Sequence, residues 1–129
     1  YKKVIKDKLR FLNFAPIFAV SAKTGYNLPA FFQNVQSVYL EFTKKISTGL
    51  LNECFEKAIQ KNPMSQYHGK IVKLYYSTQI KNRPPTFRCF VNYPDAVHFS
   101  YRRYLSNSLR KKFGFFGTPV RLVFCQRQN

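Results

Sequence analysis

Ser21-Ala22-Lys23 follows directly on the apolar run Ala15-Pro16-Ile17-Phe18-Ala19-Val20 and leads into Thr24-Gly25. A loop at the carboxyl end of a buried parallel strand is where open α/β sheets bind ligands. With a residue as small as alanine, the backbone of such a loop has room to approach a bound ligand and donate an N–H to it. The competing reading is an ordinary strand-to-helix turn, punctuated by Thr24-Gly25. The rest of nucleotide chemistry is missing from the chain. There is no G-x-x-x-x-G-K-[ST] phosphate cradle, no D-x-x-G and no N-K-x-D. Lacking phosphate-binding amides, a magnesium ligand and a base-specific aspartate, this segment is expected neither to hold nor to hydrolyse a nucleotide by itself.

Other catalytic chemistry has as little to work with. Asp7, Glu41, Glu53, Glu56 and Asp95 are scattered, with no pair at a spacing suited to general acid/base work. Cys54, Cys89 and Cys125 lie far apart and contain no C-x-x-C, and His68 and His98 cannot complete a zinc site at ligand spacing. No metal is expected, and the thiols are expected reduced and buried. The dominant chemical signal is charge: 22 Lys and Arg against 5 Asp and Glu, a formal net charge of +17 over 129 residues. That excess points to a polyanionic partner, with a merely solvated basic surface as the bland alternative. No apolar run approaches the length of a bilayer span, so a membrane partner is not expected and a cytoplasmic location is. The opening tyrosine suggests a piece of something longer.

These groups need elements to position them. Residues 2–13 put Val4, Ile5, Leu9 and Leu12 on one helical stripe, and residues 16–20 read as a strand buried on both faces. Phe31, Phe32, Val35, Val38, Tyr39, Phe42 and Ile46 recur at helical spacing over residues 28–46. Helix, strand, loop and helix form the tail of a doubly wound α/β unit that lacks its sheet. A boundary is expected at Ile46-Ser47-Thr48. Beyond it, Ser47 or Thr48 caps a helix to about Asn62, with Leu50, Leu51, Cys54, Phe55, Ala58 and Ile59 inward and Pro63 as the stop. Residues 71–79 and 86–92 read as strands joined by a stiff turn containing Pro84-Pro85. A helix capped by Ser100 runs to about Phe113, ended by Gly114, with Tyr101, Tyr104, Leu105, Ser108 and Leu109 inward. Residues 119–125 give a last strand and residues 126–129 a polar tail.

The fold class is therefore α/β (α+β), an α-β-β-α-β domain with a three-stranded sheet and helices on one face, preceded by the α/β tail. Several stretches, taken in order, resemble the C-terminal region of the EngA/Der double-GTPase family: Ser21-Ala22-Lys23, Tyr75-Tyr76-x-Thr78-Gln79, Arg83-Pro84-Pro85-Thr86-Phe87, Phe99-Ser100-Tyr101-Arg102-Arg103-Tyr104-Leu105 and Phe113-Gly114-Phe115-Phe116-Gly117-Thr118-Pro119. The resemblance implies the end of a Ras-like G domain over residues 1–46 and a KH-like domain over residues 47–129. It further implies G domains upstream in an intact parent, which would use GTP and Mg2+, and a role in assembling the large ribosomal subunit through ribosomal RNA. Nucleotide state upstream would alter which basic surface is exposed. Under this resemblance, Ser21, Ala22 and Lys23 are guanine-loop residues of the intact parent.

KH domains that grip RNA place a G-x-x-G loop between two helices. Here Gly114-Phe115-Phe116-Gly117 lies instead between helix and strand. Gly114 is read as a helix cap and Phe115 or Phe116 as a core plug. The RNA candidates are therefore electrostatic. Arg103, Asn107, Arg110 and Lys111 fall on the outer side of their helix, Arg102 and Lys112 flank them, Arg83 sits on the turn, and Lys73 and Arg88 point off the strands. Guanidinium forks suit phosphate oxygens. The rival for the same surface is an intramolecular regulatory role, docking on the parent's first G domain. Of Tyr75, Tyr76, Phe90 and Phe99, at most two are expected at the surface to stack on bases. His68 and His98 are expected at the surface or as caps.

Overall fold

The structure is a computed structural model and describes residues 1–127. Ser47 opens α3 (Thr48–Lys61) as its N-cap, its hydroxyl accepting the Leu50 N–H at 3.4 Å. Leu51, Cys54, Phe55 and Ala58 are buried along this helix, the i, i+3, i+4, i+7 stripe of a core-facing helix. Leu50, expected among them, is exposed because its position is one residue off that stripe. Two strands follow, β1 (Leu74–Lys81) and β2 (Thr86–Val91), paired antiparallel with Ser77 opposite Cys89 and Thr78 opposite Arg88. The first starts later than patterning suggests. Asn92 occupies residues 71–73 instead, its side chain accepting from the Lys73 N–H and donating to the Ile71 carbonyl, each at 2.9 Å.

Helix α4 spans Phe99–Phe113, with His98 at the N-cap in extended conformation and Ser100 already in the first turn, so the expected serine cap is not made. Gly114 ends the helix at φ 95°, its N–H bonded to the Arg110 carbonyl at 2.8 Å. The positive φ is cheap only for glycine. Strand β3 (Arg121–Gln126) lies parallel to β2, giving the order β1-β2-β3. Gln126 closes this strand rather than opening a tail, and the last two residues of the expected tail lie outside the described residues.

Helices α3 and α4 pack on one face of the sheet. The core between them holds Leu51, Phe55, Phe87, Cys89, Leu105, Leu109 and Phe115. Among the described residues no helix covers the other sheet face. The free edge of β1 meets side-chain amides rather than another strand. Asn52 donates to the Ser77 carbonyl at 2.9 Å and accepts the Ser77 N–H at 2.7 Å, while Gln79 donates to Lys44 O at 2.9 Å and accepts from Ile46 N at 2.7 Å.

Residues 1–46 depart from expectation. The first helix stops at α1 (Lys2–Lys8), and Arg10–Leu12 form a separate 3₁₀ turn. The long helix, α2, covers Leu28–Phe42 and ends four residues early. Residues 16–20 form no strand, since a parallel strand takes its hydrogen bonds from neighbours and the described residues supply none there. Neither helix buries a residue, leaving Val4, Phe11, Phe32, Val35 and Leu40 exposed.

Burial pushes the Cys89 thiol up to about 11 from an ordinary value of 9.0. A thiol whose folded pKa is raised stabilises nothing extra below pH 9; above it, the unfolded chain ionises first and stability falls until pH passes 11. Unfolding free energy from urea titration is expected to drop by roughly 2 kcal/mol more between pH 7 and 10.5 in the wild type than in Cys89→Ala. Parallel pH profiles would remove the buried thiol as the cause.

Candidate nucleic-acid interface

Helix α4 carries its basic residues to different fates. Arg103, Lys111 and Lys112 are exposed. The Arg103 guanidinium lies 5.7 Å from the centre of the Phe99 ring, which is 77% exposed. Arg110, expected on the outer side, is half-buried. It donates to the Phe115 carbonyl at 2.9 Å and the Thr118 carbonyl at 2.7 Å, and lies over Phe14 at 5.2 Å. Burial lowers its pKa from the ordinary arginine value. The loop after Gly114 folds back over this side chain, and helical spacing cannot register that contact. Arg102 is likewise engaged, donating to the Val97 carbonyl at 3.1 Å and lying 4.6 Å from the Phe124 ring centre.

Lys111 and Lys112 line an open groove of about 560 Å3 between α3 and α4, facing Lys57 and Lys61 across Ala58, Tyr104 and Asn107. Lys57 and Lys61 were not candidates from sequence. They share a face at i, i+4, but only the packing of α3 on α4 brings them opposite Lys111 and Lys112. One carboxylate lines the groove: Glu53, paired with Lys57 at 3.0 Å, and the Lys57 hydrogen bond holds it below its ordinary pKa. Lysines in the last turn of α4 also suit its helix dipole, so their place alone is no proof of a ligand. Lys61 is likewise in the last turn of α3, and only Lys57, paired with Glu53, lies deeper in that helix.

The remaining candidates are dispersed. Arg88 is exposed on the helix-free sheet face and Lys73 precedes β1. Arg83 turns to the N-terminal segment, its N–H bonding Phe42 O at 2.9 Å and its guanidinium meeting Tyr39 Oη at 3.4 Å. Tyr75, Tyr76 and Phe99 are all exposed and Phe90 is half-buried, so three aromatics reach the surface where two at most were expected. His68 and His98 are exposed.

Gly114-Phe115-Phe116-Gly117 is a joint rather than a clamp. Phe115 is fully buried and Phe116 is 51% exposed. Glu41 of α2 accepts the Phe115 N–H at 3.0 Å, Lys44 donates to Phe113 O at 2.8 Å, and Gly117 sits against Val38. This loop therefore seats α2 on the sheet domain.

The Ser21-Ala22-Lys23 loop is closed by Ser21 N to Tyr26 O at 3.1 Å and Gly25 N to Ser21 O at 2.9 Å, and no bond among the described residues takes up the Ala22 or Lys23 N–H. The residues present do not fit GTP and Mg2+ as a whole, because no phosphate cradle or magnesium ligand accompanies it. Among the described residues no group of three His, Cys, Asp or Glu is placed to hold a metal ion, and no helix is long and apolar enough to cross a membrane.

Two helices on one face of a three-stranded mixed sheet, in α-β-β-α-β order without a glycine clamp, define a KH-like domain. Residues 45–124 match the family described as KH-domain-like of EngA bacterial GTPase enzymes, C-terminal. The chain is 47% identical over 125 residues to the GTPase Der of Geotalea daltonii, covering 97% of this chain and 28% of that protein. It is 44% identical over 120 residues to the GTPase Der of Caldanaerobacter subterraneus subsp. tengcongensis, covering 93% and 27%. With that of Halothermothrix orenii it shares 43% identity over 127 residues, covering 98% and 29%. The chain belongs to the EngA/Der family, and it spans less than a third of the length of these relatives.

Proposed function

We propose that this chain is the RNA- and ribosome-contacting module of a GTPase that acts in large-subunit assembly in the cytoplasm. Residues 1–46 would end a G domain and residues 47–129 form the binding domain, with GTP and Mg2+ held by G domains upstream in the parent. The supporting observation is the α3–α4 groove, where Lys57 and Lys61 oppose Lys111 and Lys112 with one carboxylate between them. Four ammonium groups along one trough match a phosphodiester strand better than a neutral protein face. Arg103 and Asn107 extend the same side, whereas Arg110 and Arg102 are committed to internal partners. The exposed stripes of α1 and α2 would be covered by the missing sheet.

Binding to ribosomal RNA or large subunits, measured across salt concentrations, is the test. If about six phosphates are met, log K falls against log salt with a slope of around −4 to −5. Lys111→Gln with Lys112→Gln is expected to reduce that slope by about 1.4–1.8, at 0.7–0.9 for each lost phosphate contact. An unchanged slope and affinity would transfer the surface to the rival role, docking on the parent's first G domain.

A further inference from the structure

The helix-free face of the sheet carries a second arrangement that the basic groove does not use. Across three strands in register, Tyr76, Phe90 and Cys125 form one row, and Thr78, Arg88 and Val123 the next. The Tyr76 and Phe90 rings are stacked, 4.7 Å apart at 22°, and Tyr76 remains 48% exposed. Arg88 and Arg127 flank this pair around a hollow of about 450 Å3, and Arg127 lies over the neighbouring Tyr75 ring at 4.4 Å. No carboxylate lines the hollow among the described residues. Among the described residues nothing neutralises the two guanidinium groups beside the stacked aromatics. An apolar protein partner would bury those charges without counter-ions, whereas a nucleic-acid strand brings a flat base for each ring and a phosphate for each arginine.

The geometry points to this sheet face as a platform for single-stranded RNA, with bases stacked on Tyr76 and Phe90 and phosphates on Arg88 and Arg127. It rests on the reading of RNA as the partner but uses the opposite side of the domain from the lysine groove. A duplex cannot use it, since paired bases are not free to lie on the rings.

The probes are an oligouridylate of about 12 nucleotides, within the span that such platforms accept, and a blunt RNA duplex of equal length. Tyr76→Leu with Phe90→Leu keeps the apolar bulk, so the sheet survives. This variant is expected to weaken oligouridylate binding at least about 30-fold, the loss of two stacked bases, while duplex binding is unchanged. Cys125 supplies a reading on the unmutated chain. It is half-buried on this face, whereas Cys54 and Cys89 are buried. Saturating oligouridylate should slow its alkylation by maleimide, mapped by mass spectrometry, and duplex should not. Unprotected Cys125, equal protection by duplex, or wild-type affinity in the leucine variant would each overturn the platform. If oligouridylate binding responds only to Lys111→Gln with Lys112→Gln, the platform alone falls; if neither RNA binds the wild type, the RNA reading falls with it.

Discussion

Phe115→Ala is expected to lower the unfolding free energy by about 3–5 kcal/mol, the range for deleting a buried aromatic ring. The ring is fully buried and meets Phe87 edge-on at 5.9 Å and 68°. Such pairs add about 0.5–1.5 kcal/mol beyond the area they bury. The same residue is the hub of the joint. Its N–H reaches Glu41 and its carbonyl receives Arg110, so a cavity there loosens bonds from two helices. Phe116→Ala, one residue along and half in solvent, should stay within roughly 0.5 kcal/mol of the wild type. Urea midpoints of the two variants make the comparison. Equal losses, or a larger one at Phe116, would restore the loop as an exposed clamp.

Gly117→Ala is the second large effect. Gly117 has φ 77°, and a Cβ there would overlap Val38 Cγ2 and lie 3.2 Å from Cγ1. Alanine in left-handed backbone costs about 1–2 kcal/mol. The overlap adds about 1–3 kcal/mol unless α2 swings away. Swinging away would open the Glu41 and Lys44 bonds to residues 113–115, so the cost is met either by strain or by detachment. Val38→Ala on the Gly117→Ala background should recover the overlap share and leave the backbone share. A double-mutant cycle by denaturation measures this. Strict additivity of the two substitutions would show that α2 does not bear on Gly117. Faster proteolysis at residues 43–47 in Gly117→Ala alone would identify detachment as the route.

What could be read from the sequence was what neighbouring residues decide among themselves. The stripe Leu51, Cys54, Phe55 and Ala58, the Ser47 cap, the Gly114 stop and the alternation of β2 all follow from local periodicity or a single backbone preference. The misses share a different cause. Residues 16–20 have the composition of a buried strand but no strand beside them, and a ladder cannot form from one side. Arg110 sits where helical spacing points outward, yet the loop at Phe115 and Thr118 returns to cover it. The groove was half legible: Lys111 and Lys112 stood out in a basic cluster, while Lys57 and Lys61 gained meaning only from the crossing of two helices. Tyr75 and Tyr76 both reach the surface because the ladder shifts register between Leu74 and Tyr76, an irregularity that alternation cannot foresee.

The amides of Asn52 and Gln79 act as borrowed backbone. The Asn52 amide occupies the Ser77 N–H and carbonyl on β1, which would otherwise invite an extended peptide or a second copy to add on, while the Gln79 amide, carried by β1 itself, ties residues 44–46 to the strand's flank. A domain so rich in β-forming aromatics is thereby kept from polymerising through that side. Growth of the sheet, if forced by truncating the Asn52 amide, would begin at Ser77.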